Sequence, residues 1–192
     1  MMPFLCVMQN LPANYPLNYV VCASTANRFA AIRAALQSID ETFDCVYLAA
    51  DSGEKKLLKQ LFTLALPAPQ HKDLTDAYAI IADEQWKIAS QVPAQLRSTV
   101  LPKILLIVDI DGNQHEGDLM CAAFNCRHYN TSVMFVMSKL SDFTDAISNN
   151  IDAVIAREIV DSGLPGQCAP IEGTEYFKLQ VQYPPLLYRL QP

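Results

Sequence analysis

The chain has 192 residues, of which 51% are hydrophobic and 18% are charged, and its formal net charge is −6. This composition excludes a disordered chain and predicts a single domain with a sizeable core. The sequence contains no run of lysine or arginine that would favour extended contact with nucleic acid, and no apolar run long enough to span a membrane.

Strands and helices are predicted to alternate along the chain, which favours an α/β fold with a mostly parallel central sheet. The predicted strands cover residues 18–23, 44–50, 103–109, 131–137 and 152–157, and the predicted helices cover 28–38, 54–65, 73–91, 117–126 and 142–148. A loop rich in proline and glycine is predicted over 161–173, followed by an alternating edge strand that starts at Tyr176. We therefore predict one domain over residues 1–192, with residues 174–192 as its C-terminal edge strand and tail.

The strand, turn and helix over residues 18–38 have the order of a nucleotide-binding P-loop, G-x-x-x-x-G-K-[ST]. Cys22 and Asn27 stand at its two glycine positions, Arg28 at the lysine position, and Phe29 at the Ser/Thr position that holds Mg²⁺. Asparagine tolerates left-handed backbone angles and arginine keeps the positive charge, but phenylalanine has no group that binds a metal. No glycine precedes Gly53, so no shift of the alignment restores the motif.

A second motif ends a predicted strand with two acids. Five apolar residues lead into Asp109, and Asp111 follows. A buried parallel strand of this kind delivers a carboxylate to the carboxyl edge of its sheet. In an NTPase the first acid holds Mg²⁺ and a following acid polarises the attacking water. A core strand that ends in an Asp-Ile-Asp-Gly turn is the alternative interpretation.

A third segment makes the resemblance specific. Arg127 and His128 close a predicted helix, Ser138 follows the next strand, and one more predicted helix ends at Ser148, shortly before Asn150. Together the three segments resemble the genome-packaging ATPases of large DNA viruses, the poxvirus-type branch of the FtsK–HerA translocases. In that family a polar sensor, usually glutamine, stands at the position of Ser138 and an arginine at that of Ser148, whereas Asn150 matches.

The resemblance covers roughly residues 18–190 and implies a P-loop NTPase-like three-layer sandwich. It places the first strand centrally, beside the strands that end in Asp109 and Ser138. The vestigial site would consist of nucleotide-binding positions Cys22, Asn27, Arg28 and Phe29, Walker B positions Asp109 and Asp111, and sensor positions Ser138, Ser148 and Asn150. Because the departures fall on residues that would touch nucleotide, we expect a pseudo-ATPase without catalytic residues, cofactor or metal. Arg28 should approach Asp109 or Asp111, and Phe29 should fill the Mg²⁺ space or pack into the helix–sheet core.

Three functions stay open at this stage. The favoured one is a minor viral structural or assembly protein that acts through contacts with other viral proteins, in the virion or the infected-cell cytoplasm. A divergent but active ATPase that drives DNA packaging is the alternative, and an unrelated doubly wound binding domain is the third. The charge leaves DNA contact unsupported, an oligomer stays open, and six scattered cysteines fit a reducing compartment.

Overall fold

A computed structural model describes the chain over residues 16–39, 41–49, 70–71, 82–83, 85–93, 96, 100–109, 124–139, 150–159 and 166–182. Over these residues the strands are β1 (Asn18–Cys22), β2 (Cys45–Ala49), β3 (Gln70–His71), β4 (Ile104–Asp109), β5 (Thr131–Met137), β6 (Ala153–Ala156), β7 (Gly166–Pro170) and β8 (Phe177–Val181). The helix α1 covers Arg28–Gln37, and short 3₁₀ helices cover Thr25–Asn27 and Cys126–Tyr129. Residues 82–83, 85–89 and 124–125 are also helical.

All the described strands belong to one eight-stranded sheet with the order β3-β2-β4-β5-β1-β6-β8-β7. The first six strands in this order, β3, β2, β4, β5, β1 and β6, run parallel to one another. Strand β8 pairs antiparallel with β6, and β7 pairs antiparallel with β8. Every residue of β5 is buried, as expected for a central strand covered on both faces. The predicted α/β fold with a mostly parallel sheet is therefore confirmed.

Two apolar clusters cover opposite faces of this sheet, because side chains alternate along each strand. On one face Tyr19 and Val21 of β1 pack against Ala31 and Ala35 of α1. The small alanines let the helix approach the sheet closely, so α1 is anchored over the centre of the sheet. On the other face Val20 packs in a cluster that includes Phe135 and other buried residues of β4 and β5.

A buried polar network holds the amino end of β1. The Asp152 carboxylate accepts hydrogen bonds from the Asn18 backbone N–H at 2.7 Å and from the Arg127 guanidinium at 2.5 Å. Arg127 also donates to the Asn150 carbonyl at 2.9 Å, which in turn accepts from the Asn18 side chain at 2.9 Å. Burial raises the pKa of Asp152 above its ordinary value, although Arg127 and the Asn18 N–H pull it down.

The raised pKa of Asp152 predicts the sign of a pH effect on stability. The folded protein binds the proton more tightly than the unfolded chain, so this group's contribution is full below the ordinary value of 3.8 and is lost as pH rises through the folded pKa. We expect the unfolding free energy of wild type minus that of Asp152→Asn to fall with rising pH across this window. Urea unfolding of both proteins at matched pH values measures the difference. A difference that rises with pH would mean that the ion pair outweighs burial.

The fold corrects three predictions. Strand β1 lies beside β5, as expected, but β5 separates it from β4, the strand that ends in Asp109. The predicted 161–173 loop contains β7, and β7 lies outside β8, so β8 is not the edge strand. Gly166 and Pro170 made this stretch resemble a loop, yet both suit an edge. A Cβ atom on Gly166 would lie 2.1 Å from the Gln180 carbonyl oxygen, so glycine lets β7 approach β8 closely.

Other predicted elements agree where the structure describes them. The strand predicted over 131–137 has those bounds, and α1 ends one residue before its predicted end. The helices predicted over 54–65 and 142–148 and the tail over 183–192 lie outside the described residues. Within the described part of the chain, no helix combines the length and apolarity required to cross a membrane.

Candidate functional site

The candidate site lies at the carboxyl edge of the parallel strands, where β1, β4, β5 and β6 end. Cys22 at the end of β1 pairs with Met137 of β5 and with Ala156 of β6. Asp109 at the end of β4 pairs with Val136, so its backbone reaches the same edge. Ligands of open parallel sheets bind in the crevice at this edge.

Two backbone amides in the segment between β1 and α1 donate hydrogen bonds within the protein. The Asn27 N–H donates to the Ser24 carbonyl at 2.9 Å, and the Ala23 N–H donates to the Met137 carbonyl at 2.9 Å. Asn27 has φ −106° and ψ −2°, so it does not use the left-handed angles open to a glycine. The amides of Ala23 and Asn27 are thus engaged within the protein, whereas a working P-loop aims its amides at phosphate.

Arg28, the residue at the lysine position, is only 4% exposed and turns toward β5. Its guanidinium donates to the Ser138 hydroxyl at 3.3 Å, and the Cys22 thiol donates to the Ser138 carbonyl at 3.5 Å. Three predicted site residues are therefore brought together at this edge. The approach of Arg28 to Asp109 or Asp111 stays a prediction, because the Asp109 side chain and the whole of Asp111 lie outside the described residues.

Phe29, at the position that would hold Mg²⁺, is half-buried and packs against the apolar cluster shared by α1 and the sheet. Of the two places expected for Phe29, the Mg²⁺ space and the helix–sheet core, these contacts agree with the core. Among the described residues, no group of three or more His, Cys, Asp or Glu side chains could hold a metal ion. The position predicted to match the metal ligand of a P-loop is therefore held by a phenylalanine that packs against the core.

The predicted sensor residues do not all reach this edge. Ser138 lies there, but Asn150 lies at the opposite edge, where its carbonyl accepts from Arg127. The length of β1 separates the two edges by roughly 13 Å at about 3.3 Å per residue. Ser148 lies outside the described residues. In this chain the Arg127 and Asn150 signature therefore belongs to the buried polar network.

Sequence reasoning missed a second layer of contacts around the turn. The Tyr176 hydroxyl donates to the Asn27 carbonyl at 3.2 Å, and Arg157 lies 5.7 Å over the Tyr176 ring while pairing with Glu175. Arg157 could have been found, because it is the last residue of the strand predicted over 152–157, whose carboxyl end lies at this edge. Tyr176 carried no such signal, since 149 residues separate it from Asn27.

No protein-family model and no curated protein matches the chain. Among solved structures, it is similar to the cytoplasmic domain of the type VII secretion ATPase EccC from Thermomonospora curvata, with 14% identity and a TM-score of 0.50, covering 86% of this chain and 24% of that one. A structure of EccC ATPases 2 and 3 with a signal sequence peptide matches at 15% identity and TM-score 0.50, covering 91% and 38%. The genome-packaging NTPase B204 of Sulfolobus turreted icosahedral virus 2 matches at 12% identity and TM-score 0.44, covering 78% of each chain.

The two EccC matches show the class of fold, which is one that the chain shares with ATPase domains. The chain spans about a quarter to two fifths of the length of these secretion ATPases. At these identities the likeness is one of fold.

Proposed function

We propose that this protein is a catalytically inactive relative of the viral packaging ATPases. It keeps the three-layer sandwich of that family and serves as a structural or assembly component in the virion or infected-cell cytoplasm. Its partners are other viral structural or assembly proteins, and no nucleotide or metal is needed. The resemblance at Arg127, His128 and Asn150 supports the relation to packaging ATPases, and the fold shared with ATPase domains agrees with it.

One observation carries the proposal. Arg28, at the predicted lysine position, is buried and hydrogen-bonded to Ser138, at the predicted sensor position. Arg28 is 4% exposed and donates to the Ser138 hydroxyl at 3.3 Å. Binding phosphate would require this guanidinium to leave a buried polar contact, which opposes nucleotide binding.

The turn itself supports the same conclusion. Phosphate binding depends on several preorganised backbone N–H groups and on a metal that neutralises charge. Here the Asn27 amide bonds to Ser24, and Phe29 packs in the core where a metal ligand would stand. Each change weakens a different part of the phosphoryl-transfer machinery, so a working ATPase would need all of them reversed together.

Nucleotide titration tests the proposal. Millimolar Mg·ATP should give no thermal shift, no heat of binding in calorimetry and no measurable release of phosphate. A ligand at a hundredfold excess over its Kd stabilises a protein by about 2.7 kcal/mol, which a melting curve detects readily. Asp109→Ala serves as the matched variant, because a true nucleotide site would lose its stabilisation by Mg·ATP in that protein. Stabilisation that Asp109→Ala abolishes would support the active-ATPase alternative.

The assembly role is tested separately. Crosslinking mass spectrometry on purified particles should place this chain beside structural proteins. The variant Arg28→Ala with Asp109→Ala should still be incorporated. Loss of incorporation in a variant that melts cooperatively would contradict the proposal.

A further inference from the structure

Strand β7 forms one end of the described sheet, and all five of its residues are exposed. Its sequence, Gly-Gln-Cys-Ala-Pro, carries no charge. Sheet edges are usually protected from pairing by charged side chains, bulges or covering segments. An exposed and uncharged edge strand is therefore a template for another strand.

The hydrogen bonds next to β7 show which of its backbone groups face outward. The Ile171 N–H donates to the Tyr176 carbonyl at 2.9 Å, so Ile171 faces β8. Because facing alternates along an antiparallel strand, Ala169 and Gln167 also face β8, whereas Gly166, Cys168 and Pro170 turn their backbone groups outward. Pro170, which has no N–H, thus stands where a strand can tolerate proline.

The side chains on one face of this edge are apolar. Cys168 lies opposite Leu179, and Pro170 lies opposite Phe177. Phe177 is 39% exposed, one of the large hydrophobic residues that the described part of the chain leaves open to solvent. These apolar side chains gain apolar neighbours if an uncharged strand pairs with the edge.

We infer that β7 pairs antiparallel with β7 of a second copy of this chain, about a twofold axis at Cys168. In this register the two Cys168 residues exchange both backbone hydrogen bonds, and each Gly166 N–H donates to the Pro170 carbonyl of the other copy. No like charges meet across the axis, because β7 has none. The pairing joins two sheets into one, and a twofold interface closes without leaving a further edge of the same kind.

The same register extends the apolar row across both copies. Leu179 and Cys168 of one copy continue into Cys168 and Leu179 of the other. Phe177 and Pro170 meet Gly166, whose missing side chain leaves room, and Val181 beyond it. A second copy therefore suits this edge better than a charged strand would. The inference names a partner beyond the proposed function and does not depend on whether nucleotide binds.

Sedimentation of the full chain under reducing conditions tests the pairing. Wild type should shift with concentration from the 21.3-kDa monomer toward a dimer. Cys168→Lys places two cations across the axis and should weaken association by about tenfold or more, equivalent to about 1.4 kcal/mol. Cys168→Ser, which keeps the backbone and adds no charge, is the matched control and should still associate. Melting curves of both variants show whether they fold.

Hydrogen exchange supplies a second readout with an internal control. The outward amides of Gly166 and Cys168 should gain protection as concentration rises, whereas those of Gln167 and Ala169, which face β8, should be protected at every concentration. A chain that stays monomeric would overturn the inference. So would a dimer that Cys168→Lys does not weaken and whose formation does not protect the amides of Gly166 and Cys168. Protection of the outward amides only by another protein's strand would overturn it as well.

Discussion

Arg127→Met is expected to lower the unfolding free energy by about 3 kcal/mol, because it leaves the Asp152 carboxylate buried without its cation. The two side chains are 19% and 8% exposed, so water replaces little of the lost interaction. Methionine keeps much of the apolar volume of arginine, which limits the contribution of a cavity. Urea unfolding at neutral pH measures the loss.

Two further variants separate the buried charge from general disruption. Arg127→Met combined with Asp152→Asn should recover part of the loss, because the neutral amide still accepts from the Asn18 N–H and no buried charge remains. Lys87→Met is the control, because it breaks the Lys87–Asp83 ion pair, in which the two side chains are 69% and 61% exposed. This substitution should change the unfolding free energy by less than about 0.5 kcal/mol. If the double variant were as unstable as the sum of its parts, the buried-charge explanation would fail.

Arg28→Met is expected to destabilise the protein by about 2 kcal/mol, since a hydrogen bond from a charged donor in a buried site contributes about 1.5–3 kcal/mol. The reason is the hydrogen bond from Arg28 to Ser138, in a site where Arg28 is 4% exposed. A residue kept for binding nucleotide usually sits in a site that trades stability for function, so its removal would leave stability unchanged or raise it. The measurement therefore bears on function as well as on folding.

Arg33→Met is the matched control for this change, because Arg33 is exposed on the same helix. The unfolding free energy of the Arg33→Met protein should stay within about 0.5 kcal/mol of that of wild type. Equal effects of the two substitutions would show that the helix tolerates neither, and would remove the specific role assigned to Arg28.

The sequence was most informative where local pattern and burial agree. Strand β5 could be predicted to the residue, because seven consecutive positions suit a strand covered on both faces. The start of α1 at Arg28 followed from the turn before it. The convergence of Cys22, Arg28 and Ser138 could be predicted from the rule that parallel strands end at one edge.

What the sequence could not give were features that depend on distant partners. The Gly-Gln-Cys-Ala-Pro stretch becomes strand β7 only because β8 lies beside it, and its glycine and proline locally favour a loop. Asn150 matched a family position by spacing, but spacing does not report which sheet edge a residue reaches. The contact of Tyr176 with Asn27 joins residues at opposite ends of the domain and has no local signature.

The placement of β1 at the centre of the sheet has a consequence for synthesis on the ribosome. At the amino end of β1, the Leu17 N–H donates to Ser132 and the Asn18 N–H donates to Asp152, and these acceptors are 115 and 134 residues further along the chain. The contact at the C-terminal end of α1 forms later still, because Lys178, which donates to the Ser38 carbonyl there, is 140 residues downstream of Ser38. Neither β1 nor α1 can therefore complete these contacts until Asp152 and Lys178 have been translated. This delay leaves the apolar β1 segment in need of protection from aggregation during every round of synthesis.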